Sequence, residues 1–155
     1  MAEAPRILIV TSRYYAHIAA ELEASVTEGL DKAGVRYELM EVPGAFEIPG
    51  AIAMAAEAGE FDGFVALGCV IRGETSHYEL ITEQVARGLM DLSLAGVPVA
   101  FGVLTVENEK QAKVRADRKG KNKGAEAVAA VLRMVGLSYR FRDTDNSDEP
   151  EGSLN

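Results

Sequence analysis

The chain has 155 residues, a mass of 16.6 kDa and a net charge of −8, the size of a single domain that can bury about two-thirds of its unfolded surface without metal or disulfide. A hydrophobic share of 48% beside 26% charged residues excludes a disordered or collagen-like chain, and no apolar run nears the roughly 18 residues of a spanning helix. The lone cysteine, Cys69, permits no intrachain disulfide, the acidic balance speaks against general binding to nucleic acid or membranes, and MAEAPRILIV lacks the basic region of a signal peptide, so the expected place is the cytoplasm.

Taken in chain order, Ile7 to Val10 is a β-rich run closed by the polar pair Thr11 and Ser12, after which Ile18, Leu22, Val26 and Leu30 recur every four residues. That spacing predicts strand, loop and helix. Ala33-Gly34 ends the helix with a glycine suited to a left-handed cap, and Val35 to Val42 alternates as a second strand up to Pro43-Gly44. An alanine-rich helix follows Pro49 and ends near Gly59. Phe64 to Ile71 is almost continuously apolar, the pattern of a strand covered on both faces. A third helix spans about Ser76 to Leu94, a fourth strand Val99 to Leu104, a short polar helix opens at Asn108, and Val128, Leu132 and Val135 share one face of a last helix. The final segment, 143–155, carries five acidic and no basic residues and no apolar periodicity, so it is expected to be a disordered tail behind a single domain of residues 1–142.

Alternating strands and helices with short connections predict an α/β fold: a three-layer sandwich in which a central four-stranded parallel sheet is flanked by helices. Ligands collect outside the carboxyl ends of such strands, which directs attention to Thr11–Tyr15, Pro43–Glu47, Gly68–His77 and Leu104–Asn108.

The third of these loops reads GCVIRGETSHYE. Ser76 with Glu79 three residues on forms a capping box, so the amides near Gly73 to His77 would offer an anion site at a helix start, and His77, in the first helical turn, would have a pKa suited to proton transfer. A solvated or capping histidine is the plainer alternative. Cys69 lies eight residues before His77, yet a cysteine inside an apolar strand is more often a small buried hydrophobe than a nucleophile. In VPGAFEIPGA, two prolines and two glycines hold Ala45, Phe46 and Glu47 outside any ladder, leaving backbone groups free for a heterocycle edge and Glu47 for hydroxyl groups, although an ordinary turn with a solvated glutamate reads the same way. Tyr14 and Tyr15 offer an aromatic platform or simply cover the core. Seven of the fourteen residues from Lys110 to Lys123 are basic; a solvated face accounts for them better than nucleic acid does. Within that run a helix capped by Asn108 would place Gln111 and Arg115 on one face, with Arg115 presenting a planar fork to a phosphate and Lys123 a second charge.

VPGAFEIP, ALGCVIRGETSHYE and FGVLTVENEKQAKVRA followed by NKGAEA resemble, in this order and over Arg6 to Leu137, the lumazine synthase family. The resemblance implies joining of 5-amino-6-(D-ribitylamino)uracil to 3,4-dihydroxy-2-butanone 4-phosphate, giving 6,7-dimethyl-8-ribityllumazine, phosphate and water, without metal or organic cofactor. It implies that Tyr14 stacks on the pyrimidine and that Ala45, Phe46 and Glu47 contact the pyrimidine and ribityl chain. Cys69, Val70 and Ile71 would form the second wall. Glu74 and Thr75 would bind phosphate, His77 would move protons, Phe101 would reach a neighbouring subunit's site, and Arg115, with Lys123 near it, would hold the phosphate. Homopentamers with sites between adjacent subunits follow from the same resemblance, which leaves open a further shell of pentamers and an association with riboflavin synthase. Tyr14 stands where phenylalanine or tryptophan is more familiar. Only five residues precede the first strand, which argues against the extra N-terminal strand of shell-forming members, whereas Arg115 to Gly124 shows no lengthening of the kind that blocks shells. A binding module of the flavodoxin type would share this flavodoxin-like topology, but TSRYYAH lacks the glycine of its phosphate loop, and Thr11-Ser12 and Cys69 stand where a receiver-type switch needs acids. A catalytically weak scaffold that binds lumazine or riboflavin is the remaining alternative.

Overall fold

A computed structural model describes residues 4–74 and 77–147. The chain runs β1 (Arg6–Ser12), α1 (Ala16–Lys32), β2 (Arg36–Val42), one turn of 3-10 helix (Ala45–Glu47), α2 (Ile48–Ala58), β3 (Gly63–Ile71), α3 (Tyr78–Leu94), β4 (Val99–Val106), α4 (Glu109–Ala116) and α5 (Lys123–Ser147). Every strand pairing is parallel and the order is β2-β1-β3-β4. Alternation along the strands divides the core between the two faces. Ile7, Ile9, Val65 and Leu67 point to α1 and α5, where Leu22, Val26 and Val131 meet them; Leu8, Val10, Phe64 and Ala66 point to Ile48, Ile52, Val85 and Leu89 of α2 and α3. Each fully buried aliphatic contributes about 1.5–3 kcal/mol, and β3, buried everywhere except Cys69, is the strand the sequence marks as covered on both faces. This is the expected three-layer α/β arrangement. The turns after α1 and α2 use glycines in the left-handed region, Gly34 at φ +69° and Gly59 at φ +78°, as the capping pattern requires.

Several boundaries differ from the sequence reading. Thr11 and Ser12 are strand, not loop: they pair with Glu41 and Val42 of β2 and are buried, the Thr11 hydroxyl donating to Glu23 at 3.3 Å. Their polarity hid a strand whose neighbours on both sides satisfy its backbone. β4 likewise continues two residues past Leu104, to Val106. Helix α5 runs to Ser147, beyond the point at Asp143 where apolar periodicity stops, because extending an existing helix costs far less than starting one. Residues 148–155 of the tail, and Thr75 and Ser76, lie outside the described residues. Among the described residues no helix is long and apolar enough to cross a membrane.

Candidate active site

The carboxyl ends of β1, β2 and β3 open onto a cleft of about 420 Å³, lined by Ser12, Tyr14, Gly44, Ala45, Phe46, Glu47, Cys69, Val70, Glu74 and Ile81. Its volume lies in the range of small-molecule sites. The tyrosine pair divides its work: Tyr15 packs on the core, while Tyr14, edge-on to it at 5.0 Å between ring centroids, stays 72% exposed at the cleft. Arg13 anchors this connection by pairing with Glu23 at 2.8 Å and Glu41 at 3.3 Å; the Glu23 carboxylate, with Glu41 behind it, pushes the guanidinium pKa up.

The second wall comes from the β2–α2 turn. Ala45 to Glu47 form a helical turn rather than an irregular loop, and the Glu47 amide donates to the Gly44 carbonyl at 3.2 Å. Fewer backbone groups are therefore open to a ligand than the prolines and glycines suggest; the amides of Ala45 and Phe46, which start the helical run, are the ones without an intrahelical acceptor by position. Phe46 is 59% exposed, and the Glu47 carboxylate lies at the same wall. Close approach of α3 sets this turn in place: a Cβ on Gly88 would lie 2.9 Å from the Cβ of Pro49.

At the end of β3, Cys69 and Val70 line the cleft. Burial, with smaller contributions from the Glu74 and Glu109 charges, pushes the Cys69 thiol up to about 12, which keeps it protonated at neutral pH and removes it as a nucleophile. Ile71 is only 1% exposed and belongs to the core under α1 and α4, so its side chain is not part of the wall. His77 is not in the first helical turn: it is the cap of α3, exposed, with a left-handed backbone at φ +63° and its carbonyl accepting from the Ile81 amide at 2.9 Å. Along the chain it falls between Glu74 and Ile81, both of which line the cleft. The capping box with Ser76 involves a residue outside the described ones, as does the assignment of Thr75. Glu79 pairs with Arg72, and its own backbone N–H, then Arg72, hold its carboxyl below the usual carboxylate range.

Phe101, Arg115 and Lys123 are not brought to this cleft within one chain. Phe101, half exposed on edge strand β4, lies in an apolar groove with Ala86, Leu89, Met90 and Val99. Asn108 caps α4 as read from the sequence, accepting from the Gln111 amide at 2.9 Å, and Arg115 donates to the Gln111 carbonyl at 3.2 Å. Lys123 opens α5 paired with Glu126 at 2.9 Å. Sequence reasoning missed Ser12 because it was read as loop, and Ile81, although Ile81, Val85 and Leu89 recur every four residues along α3. Another groove, of about 350 Å³, is lined by Val97, Met134, Leu137, Phe141 and Arg142 among others, with no carboxylate among its described lining residues. Among the described residues no three His, Cys, Asp or Glu side chains gather as a metal centre would need.

The site thus combines two exposed aromatic rings, Tyr14 and Phe46, the carboxylates of Glu47 and Glu74, the apolar side chains of Val70 and Ile81, and a histidine on the adjoining turn. The model of the family described as 6,7-dimethyl-8-ribityllumazine synthase matches residues 4–138. The 6,7-dimethyl-8-ribityllumazine synthase of Sphingopyxis alaskensis is 50% identical over 135 residues, covering 87% of this chain and 96% of that protein. That of Erythrobacter litoralis is 50% identical over 136 residues, covering 88% and 97%, and that of Novosphingobium aromaticivorans 49% over 136 residues, covering 88% and 98%. Identity of this extent over nearly the whole chain, together with the match to the family model, places the chain in the 6,7-dimethyl-8-ribityllumazine synthase family.

Proposed function

We propose that the chain condenses 5-amino-6-(D-ribitylamino)uracil with 3,4-dihydroxy-2-butanone 4-phosphate to 6,7-dimethyl-8-ribityllumazine in riboflavin biosynthesis. The observation that carries this reading is the cleft itself: Tyr14 and Phe46 on two separate loops with Glu47 beside them, a geometry that can stack a flat heterocycle and accept hydrogen bonds from a polyol, in a chain half-identical to lumazine synthases over nearly its whole length. An amine attacks the ketone and water leaves as the imine forms; phosphate leaves by elimination; the second amine closes the ring with loss of another water. Each step moves a proton or disperses charge. His77 on the rim serves as the proton carrier, Arg115 holds the leaving phosphate, and orientation of the two substrates supplies the largest share of the acceleration.

Because Phe101 and Arg115 stand away from the cleft of their own chain, they complete the site of a neighbour in a homopentamer. Support comes from edge strand β4 and the adjoining helix α3, where Phe101 of the strand and Met90 of the helix leave 50% and 56% of their surface exposed around an apolar groove and Leu94 of the helix leaves 80%; a surface of this kind is covered in an assembly. The reading places the enzyme in the cytoplasm. Expression of the chain in a bacterium lacking its own lumazine synthase tests the activity: growth without added riboflavin is expected, and continued riboflavin dependence with soluble protein present overturns the assignment.

A further inference from the structure

The chain between β3 and α3 that carries His77 is held at both ends by one side chain. Arg72 follows the last residue of β3, and its amide donates to the Val106 carbonyl at 2.9 Å. The guanidinium places Nε 2.9 Å from the Glu107 carboxylate, just past β4, and Nη1 on the carboxylate of Glu79 in the first turn of α3. Its Cζ also lies 4.4 Å from the centroid of the Tyr78 ring. The far anchor is itself fixed, since the Glu107 amide donates to the Gln111 side chain at 2.9 Å and the Gln111 amide donates to Asn108 at the cap of α4. One planar group therefore ties the outgoing end of β3, the first two residues of α3 and the end of β4 together, and His77 is the residue immediately before the pair it grips. His77 needs such restraint: a non-glycine residue at φ +63° persists only where its surroundings over-determine the backbone.

We propose that Arg72 is a positioning residue for lumazine formation, acting through Tyr78 and Glu79 to hold the cap of α3, and with it the His77 imidazole, in register with the cleft. The inference rests on the reading of His77 as the proton carrier. Three features of the guanidinium are used at once: two edges of its fork for two carboxylates and its face for the Tyr78 ring, a combination that the point charge of lysine cannot reproduce. The Arg72 side chain is 46% exposed, and exposed ion pairs add little to global stability, so the clamp serves local geometry rather than the fold.

The test compares the purified wild-type chain with Arg72→Ala, Arg72→Lys and Glu107→Gln, measuring kcat, KM for each substrate and melting temperature. Misplacing a catalytic group by about an ångström costs up to about 100-fold, so kcat in Arg72→Ala is expected to fall roughly 10- to 100-fold. KM for the ribitylaminouracil, set by Tyr14, Phe46 and Glu47, is expected to stay within about threefold, and the melting temperature close to wild type. Lysine should recover part of kcat, and Glu107→Gln, which releases only the β4 anchor, should show a smaller fall that is not added to that of Arg72→Ala in the double variant. Wild-type kcat in Arg72→Ala, or a kcat loss matched by a fall in melting temperature that lysine does not relieve, overturns the proposal. Should Arg72→Ala fail to fold, Glu107→Gln decides: undiminished kcat there overturns it, and a fall with KM unchanged supports it. A wild-type chain that forms no lumazine at all would instead remove the reading of the site on which the inference rests.

Discussion

His77 and Cys69 illustrate how two residues eight positions apart acquire opposite chemistry. His77 is exposed at the head of α3, whereas Cys69 is held neutral by its burial in β3. Replacing His77 with alanine should lower turnover roughly 10- to 1,000-fold, with product binding largely retained, because a proton-transfer group contributes up to ~10⁴-fold and solvent replaces it in part; steady-state kinetics beside fluorescence titration with the product separate the two. Cys69→Ser should keep substantial activity. With the thiol pKa raised from 9.0 to about 12, alkylation of Cys69 at pH 8 should be far slower than that of a free thiol in the same tube. Rapid alkylation with loss of activity would return the thiol to the mechanism. Arg115 gives the narrowest expectation. Losing a charge-assisted contact of about 1.5–3 kcal/mol weakens binding roughly tenfold to a hundredfold, so Arg115→Ala should raise KM for the phosphorylated butanone much more than for the ribitylaminouracil, with lysine intermediate. Equal effects on both substrates would make Arg115 a support of the fold instead.

At the scale of elements, what could be read from sequence is what local physics decides. The four-residue recurrence of Ile18, Leu22, Val26 and Leu30 gives α1, the unbroken apolar run of β3 gives a central strand, and Asn108 announces α4. Elements decided by partners distant in sequence were not legible in the same way. Thr11 and Ser12 are strand because Glu41 and Val42 pair with them. The left-handed backbone of His77 carries no signature in composition. The contact between α2 and α3 is a second case of distant partners, and it yields a prediction. In Gly88→Ala the new methyl would meet Pro49, whose ring cannot swing aside, at 2.9 Å. Overpacking costs about 1–3 kcal/mol, while the change gains up to about 1 kcal/mol in helix propensity, so a net loss of about 1 kcal/mol is expected, read as a lower melting temperature together with weaker binding of the heterocycle. A more stable variant would show that α2 yields freely.

For the whole molecule, the division of site residues between places is the central feature. Tyr14, Ala45, Phe46, Glu47, Cys69, Val70 and Glu74 were singled out from three separate loops and meet in one cleft, since loops at the carboxyl ends of a parallel sheet converge by topology. Phe101, Arg115 and Lys123 do not join them, and no sequence rule based on one chain could have said where they complete a site. The proposed pentamer accounts for this separation. Light scattering of the active enzyme at micromolar concentration should give at least five copies, and Phe101→Asp, which puts a charge into the groove formed with Met90 and Leu89, should reduce both assembly and turnover; a fully active monomer would reject the shared site. The activity itself is tested most directly by mixing the purified chain with both substrates and measuring lumazine fluorescence and free phosphate in the same sample. The account predicts that both rise together, one phosphate for each lumazine, at a rate proportional to the amount of chain. Binding of added lumazine with neither product formed above the uncatalysed rate would contradict it and leave a scaffold in place of an enzyme.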